Sequence, residues 1–353
     1  GEIVRLVDRT GDGDFLDSAE QATFADGLPS DPDRLAASGG RLYVGAVSNA
    51  EVWLVEDRNG DGDALDFAEV SLYGRVQATV PAPALGGLAV RADGALLAGD
   101  AAGGRVFVLA DLNGDGDALD FAESRLLADG LSATVAVALR PDGRVLVAQT
   151  DVNIPVRILE DRNGDGDCLD FAENLSYAEA LAPGADLSAC SDVLAYLARP
   201  ASGEIVALRD LDGDNDALDF GEVIQHAGGL AMPGALTPDG AGGLYVVGQD
   251  AAGTVYHVRD LNGDGDALDF GEVMTVAAGL TGVTGLVRTT AAAPCLKGDA
   301  DGDGVVDAAD AAALVNVLLG LMTPPDPCPT DVNGDGTTDG RDVPALVLVL
   351  LSG

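Results

Sequence analysis

Asp57-Arg58-Asn59-Gly60-Asp61-Gly62-Asp63-Ala64-Leu65-Asp66-Phe67-Ala68-Glu69 decides the reading of this chain, because the stretch repeats. It returns at 8–20, 111–123, 161–173, 210–222 and 260–272, with first residues 49, 54, 50, 49 and 50 positions apart. Counted from its first Asp, each copy carries oxygen-bearing side chains at positions 1, 3, 5, 7, 10 and 13. They are Asp8, Thr10, Asp12, Asp14, Asp17 and Glu20, then Asp57, Asn59, Asp61, Asp63, Asp66 and Glu69. The third and fourth sets are Asp111, Asn113, Asp115, Asp117, Asp120 and Glu123, and Asp161, Asn163, Asp165, Asp167, Asp170 and Glu173. The last two are Asp210, Asp212, Asp214, Asp216, Asp219 and Glu222, and Asp260, Asn262, Asp264, Asp266, Asp269 and Glu272.

Donors at positions 1, 3 and 5 turn successive side chains of a tight loop towards one hard cation. Glycine at 6 makes the sharp turn, and position 7 commonly offers its carbonyl. In an EF-hand loop the closing acid is at 12; here it is at 13. We read this as a one-residue insertion, with Glu69 and its equivalents as closing ligands. Asp66 and its equivalents are then ligands or acceptors behind them. An all-oxygen set selects calcium over magnesium, which keeps its waters and its strict octahedron. Zinc and copper are disfavoured because no His or Cys recurs in the motif. The fifth copy has Asn215 in place of glycine, the residue next most tolerant of left-handed backbone. It also has the extra charge of Asp212, whereas the first copy has only the neutral Thr10. Leu65 and Phe67 are expected to anchor their loop by packing beneath it.

Between the loops the text reads as short strands. Runs such as 41–47, 51–55, 95–99 and 243–248 are apolar or alternating, separated by Asp93-Gly94, Asp142-Gly143 and Gly242-Gly243 turns. A period near 50 residues matches a four-stranded propeller blade. Residues 1–290 are therefore expected to form a mainly β fold, a six-bladed β-propeller with one calcium loop per blade. Its last blade is composite, pairing N-terminal strands with a first strand at 282–289. That blade has no clear second strand, and an unpaired edge is a place where another chain adds a strand. Gly1-Glu2-Ile3-Val4 opens in mid-repeat, which reads as a processed or trimmed start.

The 353 residues are 47% apolar and carry a formal net charge of −40. The six loops and two further C-terminal loops hold 40 of the 59 Asp and Glu, leaving 19 acids against 19 Lys and Arg. The acidity is thus a set of metal sites, with up to eight calcium ions, rather than a disordered tail. It argues against nucleic acid as a partner. Four cysteines fit an oxidising compartment, with Cys168–Cys190 and Cys295–Cys328 the natural pairs among three connectivities. No apolar run reaches the roughly 20 residues of a membrane span, so no membrane insertion is expected.

After a linker at 291–294 the pattern changes. Asp299, Asp301, Asp303, Asp307 and Asp310, then Asp331, Asn333, Asp335, Asp339 and Asp342, make two EF-hand-type loops. Each precedes a helix-like stretch, at 310–320 and 342–351. Duplicated loops of this spacing make residues 295–353 resemble a dockerin domain. That resemblance implies a small all-α, calcium-folded module that plugs into cohesins of extracellular scaffolds. Ala308-Ala309 and Gly340-Arg341 stand where well-known dockerins commonly carry Ser-Thr. More loosely, residues 1–290 resemble extracellular six-bladed propellers with calcium-binding blades.

Three function classes follow. The favoured one is a secreted or cell-surface structural protein. Its C-terminal module docks onto another copy, building a filament or surface layer, or onto a cohesin-like scaffold. The apolar 343–351 stretch, too large for its module to bury, supports a contact there. An adhesion or glycan-binding adaptor is second, although Trp53 is the sole tryptophan and fits blade packing. A propeller hydrolase or lyase is third. His226 follows an outer strand, and His257 reads as an ordinary strand residue in 254–258. Glu51, Asp100, Asp151, Asp192 and Asp250 lie near strand ends where they could line a channel, but show no paired arrangement. We therefore expect no catalytic residues.

Overall fold

The computed structural model describes residues 1–17, 19–29, 31–77, 81–289 and 308–319, with Val332, Gly340, Arg341, Val343, Pro344, Leu346 and Val347. The chain divides into two compact units, Gly1–Ala37 with Arg41–Arg288, and Ser38–Gly40 with Thr289–Gly353.

The first unit is a β-propeller. Strands β1 (Ile3–Leu6) and β2 (Gln21–Ala25) form a two-stranded sheet. Five four-stranded antiparallel blades follow. Blade one holds β3 (Pro32–Ser38), β4 (Arg41–Ala46), β5 (Glu51–Val55) and β6 (Val70–Arg75). Blade two holds β7 (Leu85–Val90), β8 (Leu96–Asp100), β9 (Arg105–Leu109) and β10 (Ser124–Ala128). Blade three holds β11 (Thr134–Leu139), β12 (Val145–Gln149), β13 (Val156–Leu159) and β14 (Asn174–Ala178). Blade four holds β15 (Asp186–Ser191), β16 (Leu194–Arg199), β17 (Glu204–Arg209) and β18 (Val223–Ala227). Blade five holds β19 (Pro233–Pro238), β20 (Leu244–Gly248), β21 (Thr254–Val258) and β22 (Val273–Ala277).

The count is five blades, not the six expected. The sixth step holds β1 and β2 alone, and the segment 282–289 forms no strand. The reason is a missing neighbour. In each complete blade the first strand ladders only onto the second, and at the sixth step no second strand is present among the described residues. Without a ladder to complete, 282–289 has nowhere to place its backbone hydrogen bonds as a strand.

The core is a set of apolar seams between consecutive sheets. Second strands are its centre: β4 is buried from Leu42 to Ala46, and β8, β12 and most of β20 are buried throughout. Leu, Val and Ala at these positions suit a strand covered on both faces. Trp53 packs half-buried on the seam of blade one and the two-stranded sheet. In the second unit, α1 (Ala308–Leu318) follows from the alanine-rich run AADAAALVNVL. Ala313, Leu314, Val332 and Leu346 form a small buried cluster there. Among the described residues no helix is long and apolar enough to cross a membrane.

Candidate metal loops

Five loops join the third strand of a blade to the fourth and the first joins β1 to β2, and all six have one internal architecture. The carboxylate at position 1 accepts hydrogen bonds from the N–H groups of positions 4 and 6. For Asp57 these are Gly60 at 2.7 Å and Gly62 at 2.9 Å; for Asp260, Gly263 at 2.6 Å and Gly265 at 2.9 Å. Position 6 is left-handed in every copy: Gly62 has φ 102° and Gly265 100°, while Asn215 takes φ 75°. Asn tolerates that region as its place in the sequence predicts.

The acid at position 13 is a keystone. Glu20, Glu69, Glu123, Glu173, Glu222 and Glu272 are all buried. The Glu69 carboxylate accepts from Arg58 N at 3.0 Å, Asn59 N at 3.4 Å and Asp66 N at 3.0 Å. Glu272 likewise takes the N–H of Leu261 at 2.8 Å and Asp269 at 2.9 Å. Glu20 is held below its ordinary pKa, since the N–H groups of Arg9, Asp17 and Thr10 outweigh its desolvation. Through these hydrogen bonds the position-13 carboxylates hold both ends of their loops together.

Position 3 distinguishes the copies. In four of them the Asn amide donates to the acid at position 10, as Asn59 to Asp66 at 2.7 Å and Asn163 to Asp170 at 2.7 Å. In the fifth copy Asp212 replaces that donor, and its charge is the largest of the effects that push Asp219 above its ordinary pKa. Carboxylate oxygens then converge without a neutral bridge. Asp210, Asp212 and Glu222 bring ligand atoms within 4.8 Å of one another, as do Asp212, Asp214 and Asp219, and Asp8, Asp12 and Glu20 in the first loop. Oxygen-only groups at that spacing have the chemistry of a calcium site.

Position 8 ties each loop to the neighbouring sheet. Ala64 N donates to Phe24 O on β2, Ala118 N to Tyr73 O, Cys168 N to Leu127 O, Ala217 N to Tyr177 O and Ala267 N to His226 O, at 2.6–2.8 Å. Phe15 N completes the round by donating to Val276 O on β22 at 2.7 Å. This stitch between sheets was not anticipated from sequence; the small residue at position 8 in four of six copies was its only signal.

Position 11 corrects another expectation. Phe67, Phe121, Phe171, Phe220 and Phe270 are fully exposed, from 99% to 107%, and Leu65 is 47% exposed. They do not pack beneath their loops. The chain turns at position 12 into left-handed backbone, with φ 71° at Ala68 and 92° at Gly271, and this directs position 11 outward. The expected Cys168–Cys190 disulfide is also absent, and both are free thiols. Cys168 sits in the seam between blades two and three, whereas Cys190 is exposed on β15 of blade four. Burial pushes the Cys168 thiol up to about 12. Cys295, Cys328 and the C-terminal loop ligands other than Asp310 lie outside the described residues. Asp310 falls within α1.

Most of the remaining titratable groups discussed for a channel have structural partners, while both ring nitrogens of His226 are buried without a hydrogen bond. Asp239 Oδ2 is 2.9 Å from His257 Nε2, and Asp239 Oδ1 takes the N–H groups of Ala241 and Gly243. Despite desolvation these bonds hold Asp239 down to about 2. His226 is buried against Tyr196, and burial lowers its pKa. Asp100 is fully buried, taking the N–H groups of Ala84, Ala102 and Gly103 and pairing with Arg105 at 2.6 Å. Glu51 pairs with Arg75, Asp192 accepts from Asp142 N, and Asp151 from Asn153 N. Asp250 differs: its backbone O accepts from Gly253 N, but its buried Oδ1 has no hydrogen-bond partner. None of these five acids lines the axial cavity, which measures about 30 Å³ and is bordered by Asp33, Leu35, Leu88, Val137, Asp186 and Leu286 among others. That space admits a water or two.

Residues 297–349 match the dockerin type I domain family. No curated protein sequence matches the chain. Among solved structures, the PQQ-bound aldose sugar dehydrogenase of Streptomyces coelicolor superposes with a TM-score of 0.53 at 14% identity, covering 76% of this chain and 87% of that one. A nidogen/laminin complex gives 0.50 at 17%, covering 68% and 80%. A streptogramin B lyase gives 0.47 at 13%, covering 71% and 70%. Identities this low speak for the fold alone. The chain carries a β-propeller and, at its C-terminal end, a dockerin type I domain.

Proposed function

We propose that this chain is an extracellular, calcium-ordered propeller module that its dockerin domain docks onto a cohesin-bearing scaffold. The observation that carries the reading is the family match at 297–349, which spans both loops that begin at Asp299 and Asp331. Dockerin domains bind calcium and cohesin scaffold proteins, and proteins that carry them are typically extracellular or on cell surfaces. The match favours a scaffold over a second copy as partner. No observation on the described residues argues for the head-to-tail filament, and it is set aside.

Calcium enters the propeller through the same proposal. The ligands are the acids of the six loops at positions 1, 3, 5, 7, 10 and 13, with Thr10 and the four Asn at position 3, which makes eight sites with the two dockerin loops. Support comes from the converging carboxylates of the first and fifth loops. A non-catalytic propeller is supported by the structural bonds of Asp239 with His257, by the burial of His226 and by the small axial cavity. The test is capture of the full chain on immobilised type I cohesins in millimolar calcium and in chelator. We expect calcium-dependent capture that Asp299→Ala with Asp331→Ala abolishes. Failure of every cohesin to retain the folded, calcium-loaded chain would overturn the scaffold reading.

A further inference from the structure

The loops carry an apolar surface that the propeller does not pack. Of the 24 large apolar side chains exposed among the described residues, 14 lie in the six loops, and five of those are the position-11 Phe. These five are most of the eight Phe in the chain. Single exposed apolar residues are ordinary, but recurrence at one position of a repeat is not scatter. In the five blades the loop stands between the third and fourth strands. All five loops are therefore at the same end of the antiparallel strands, on the outer edge of the ring.

Loops five and six, on the neighbouring blades four and five, concentrate this surface. Each has Leu at positions 2 and 9 and Phe at 11: Leu211, Leu218 and Phe220, then Leu261, Leu268 and Phe270. All six are exposed, the two Phe fully, and Leu211 and Leu261 by 65% and 62%. Ala267 N of loop six donates to His226 O on the outer strand of blade four, which ties the two edges together. Loop three has the same apolar triplet, but the loops on either side of it have Arg58 and Arg162 at position 2.

The charge around these side chains is one-sided. The two loops hold eleven Asp and Glu and no Lys or Arg. Two arginines reach them from adjoining strands: Arg144 Nη1 donates to Asn215 Oδ1 at 2.6 Å, and Arg209 Nη2 to Gly265 O. Those two offset two of the charges and one calcium ion per loop offsets four, so five negative charges remain. Without the ions nine remain. An occupant of this surface must be apolar and cationic at once. The rest of this chain does not supply it, because residues 289–353 hold ten acids against Lys297 and Arg341. A second copy would bring a net charge of −40.

We propose that the outer edge of blades four and five is a docking surface for a basic polypeptide segment with apolar side chains, supplied by a partner protein. Its apolar groups cover Phe220, Phe270 and the four Leu, and its Lys or Arg meet the acids that calcium leaves uncompensated. The calcium reading sets only the size of the charge, since the loops are negative with or without ions. This contact is separate from the one proposed for the dockerin domain, so the chain joins a scaffold through one module and a basic partner through the other.

The probe is a short, fluorescein-labelled amphipathic peptide of Leu and Lys, added to the full chain in calcium, with the peptide that has Glu for every Lys as its control. We expect saturable binding of the Lys peptide, weakened about tenfold at high salt, and none of the Glu peptide. Leu211→Ser, Phe220→Ser, Leu261→Ser and Phe270→Ser combined should weaken binding at least about tenfold. Phe67→Ser with Phe171→Ser should leave it unchanged. Both variants alter only exposed side chains, so both should keep the wild-type Tm and be captured by cohesins like the wild-type chain. Equal binding to the two variants would reduce the attraction to net charge and overturn the surface. Failure of the Lys peptide to bind overturns a basic partner, and recruitment to phosphatidylcholine vesicles that the four-residue variant loses would then assign the surface to lipid. Loss of cohesin capture in that variant would overturn the separation of the two contacts.

Discussion

Residues 1–25 and 203–227 begin with the same four amino acids, fold into the same bulged pair of strands and carry the same loop, yet one pair is buried and the other half-exposed. The difference is in neither segment. Blade four has β15 and β16 beneath its third strand, and the N-terminal pair has no such cover among the described residues. A β-strand is completed by its neighbours, so a shared opening sequence and a shared register do not bring equal burial.

The most damaging perturbation should flatten this contrast by removing what both regions share. Excess chelator is expected to lower Tm by more than about 15 °C. Each independent site contributes about 2.7 kcal/mol at a hundredfold excess over Kd, and a domain of this size shifts by roughly 2–4 °C per kcal/mol. An unchanged calorimetric melt would sink the calcium account. The contrast itself is sharpened by one substitution made twice. Ile205→Ala should cost about 2–4 kcal/mol in denaturant unfolding, as a buried truncation does, and Ile3→Ala less than about 1 kcal/mol. Equal losses would mean that the N-terminal pair is as well covered as blade four.

Smaller effects separate bonded from unbonded groups. The carboxyl of Asp239 is held at about 2 in the fold, below its unfolded value of about 3.9, so its contribution is present above pH 4 and is lost as pH falls from there towards 2. Asp239→Asn should remove that part of the acid dependence and lower stability by about 1–2 kcal/mol; an unaltered pH profile would refute the clamp. Smallest of all, Phe67→Ser should change stability by no more than about 0.5 kcal/mol, since the ring is fully exposed. A loss of several kcal/mol would restore it as an anchor.

The loops were legible because their geometry is local: six copies of one spacing place acidic side chains, turn and blade period together. Strands were legible from alternation between Asp-Gly and Gly-Gly turns. Blade count was not, because whether 282–289 becomes a strand depends on a neighbouring strand, and none stands beside it among the described residues. The outward Phe was missed because Leu65 and Phe67 were read as anchors from their apolar character alone. The exchange of Ala for Gly at position 12, as in Ala68 and Gly271, was the available sign of a left-handed turn there. The pairing of Cys168 with Cys190 was inferred from nearness in sequence, and the seam between blades two and three separates them.

The bonds from position 8 give the ring an unusual load path. Each loop belongs covalently to one sheet and is bonded to the sheet before it, so the sheets overlap like tiles laid in a circle, with no first tile to lift. A linear repeat array frays from its ends because a terminal repeat has one neighbour. Here Phe15 on Val276 removes both ends, and loosening must begin where the lap is thinnest. That place is the seam of blade five with the N-terminal pair, three fully buried residues deep. Pulled or heated, the propeller should open there as a clasp opens, and the other five seams should then let go together.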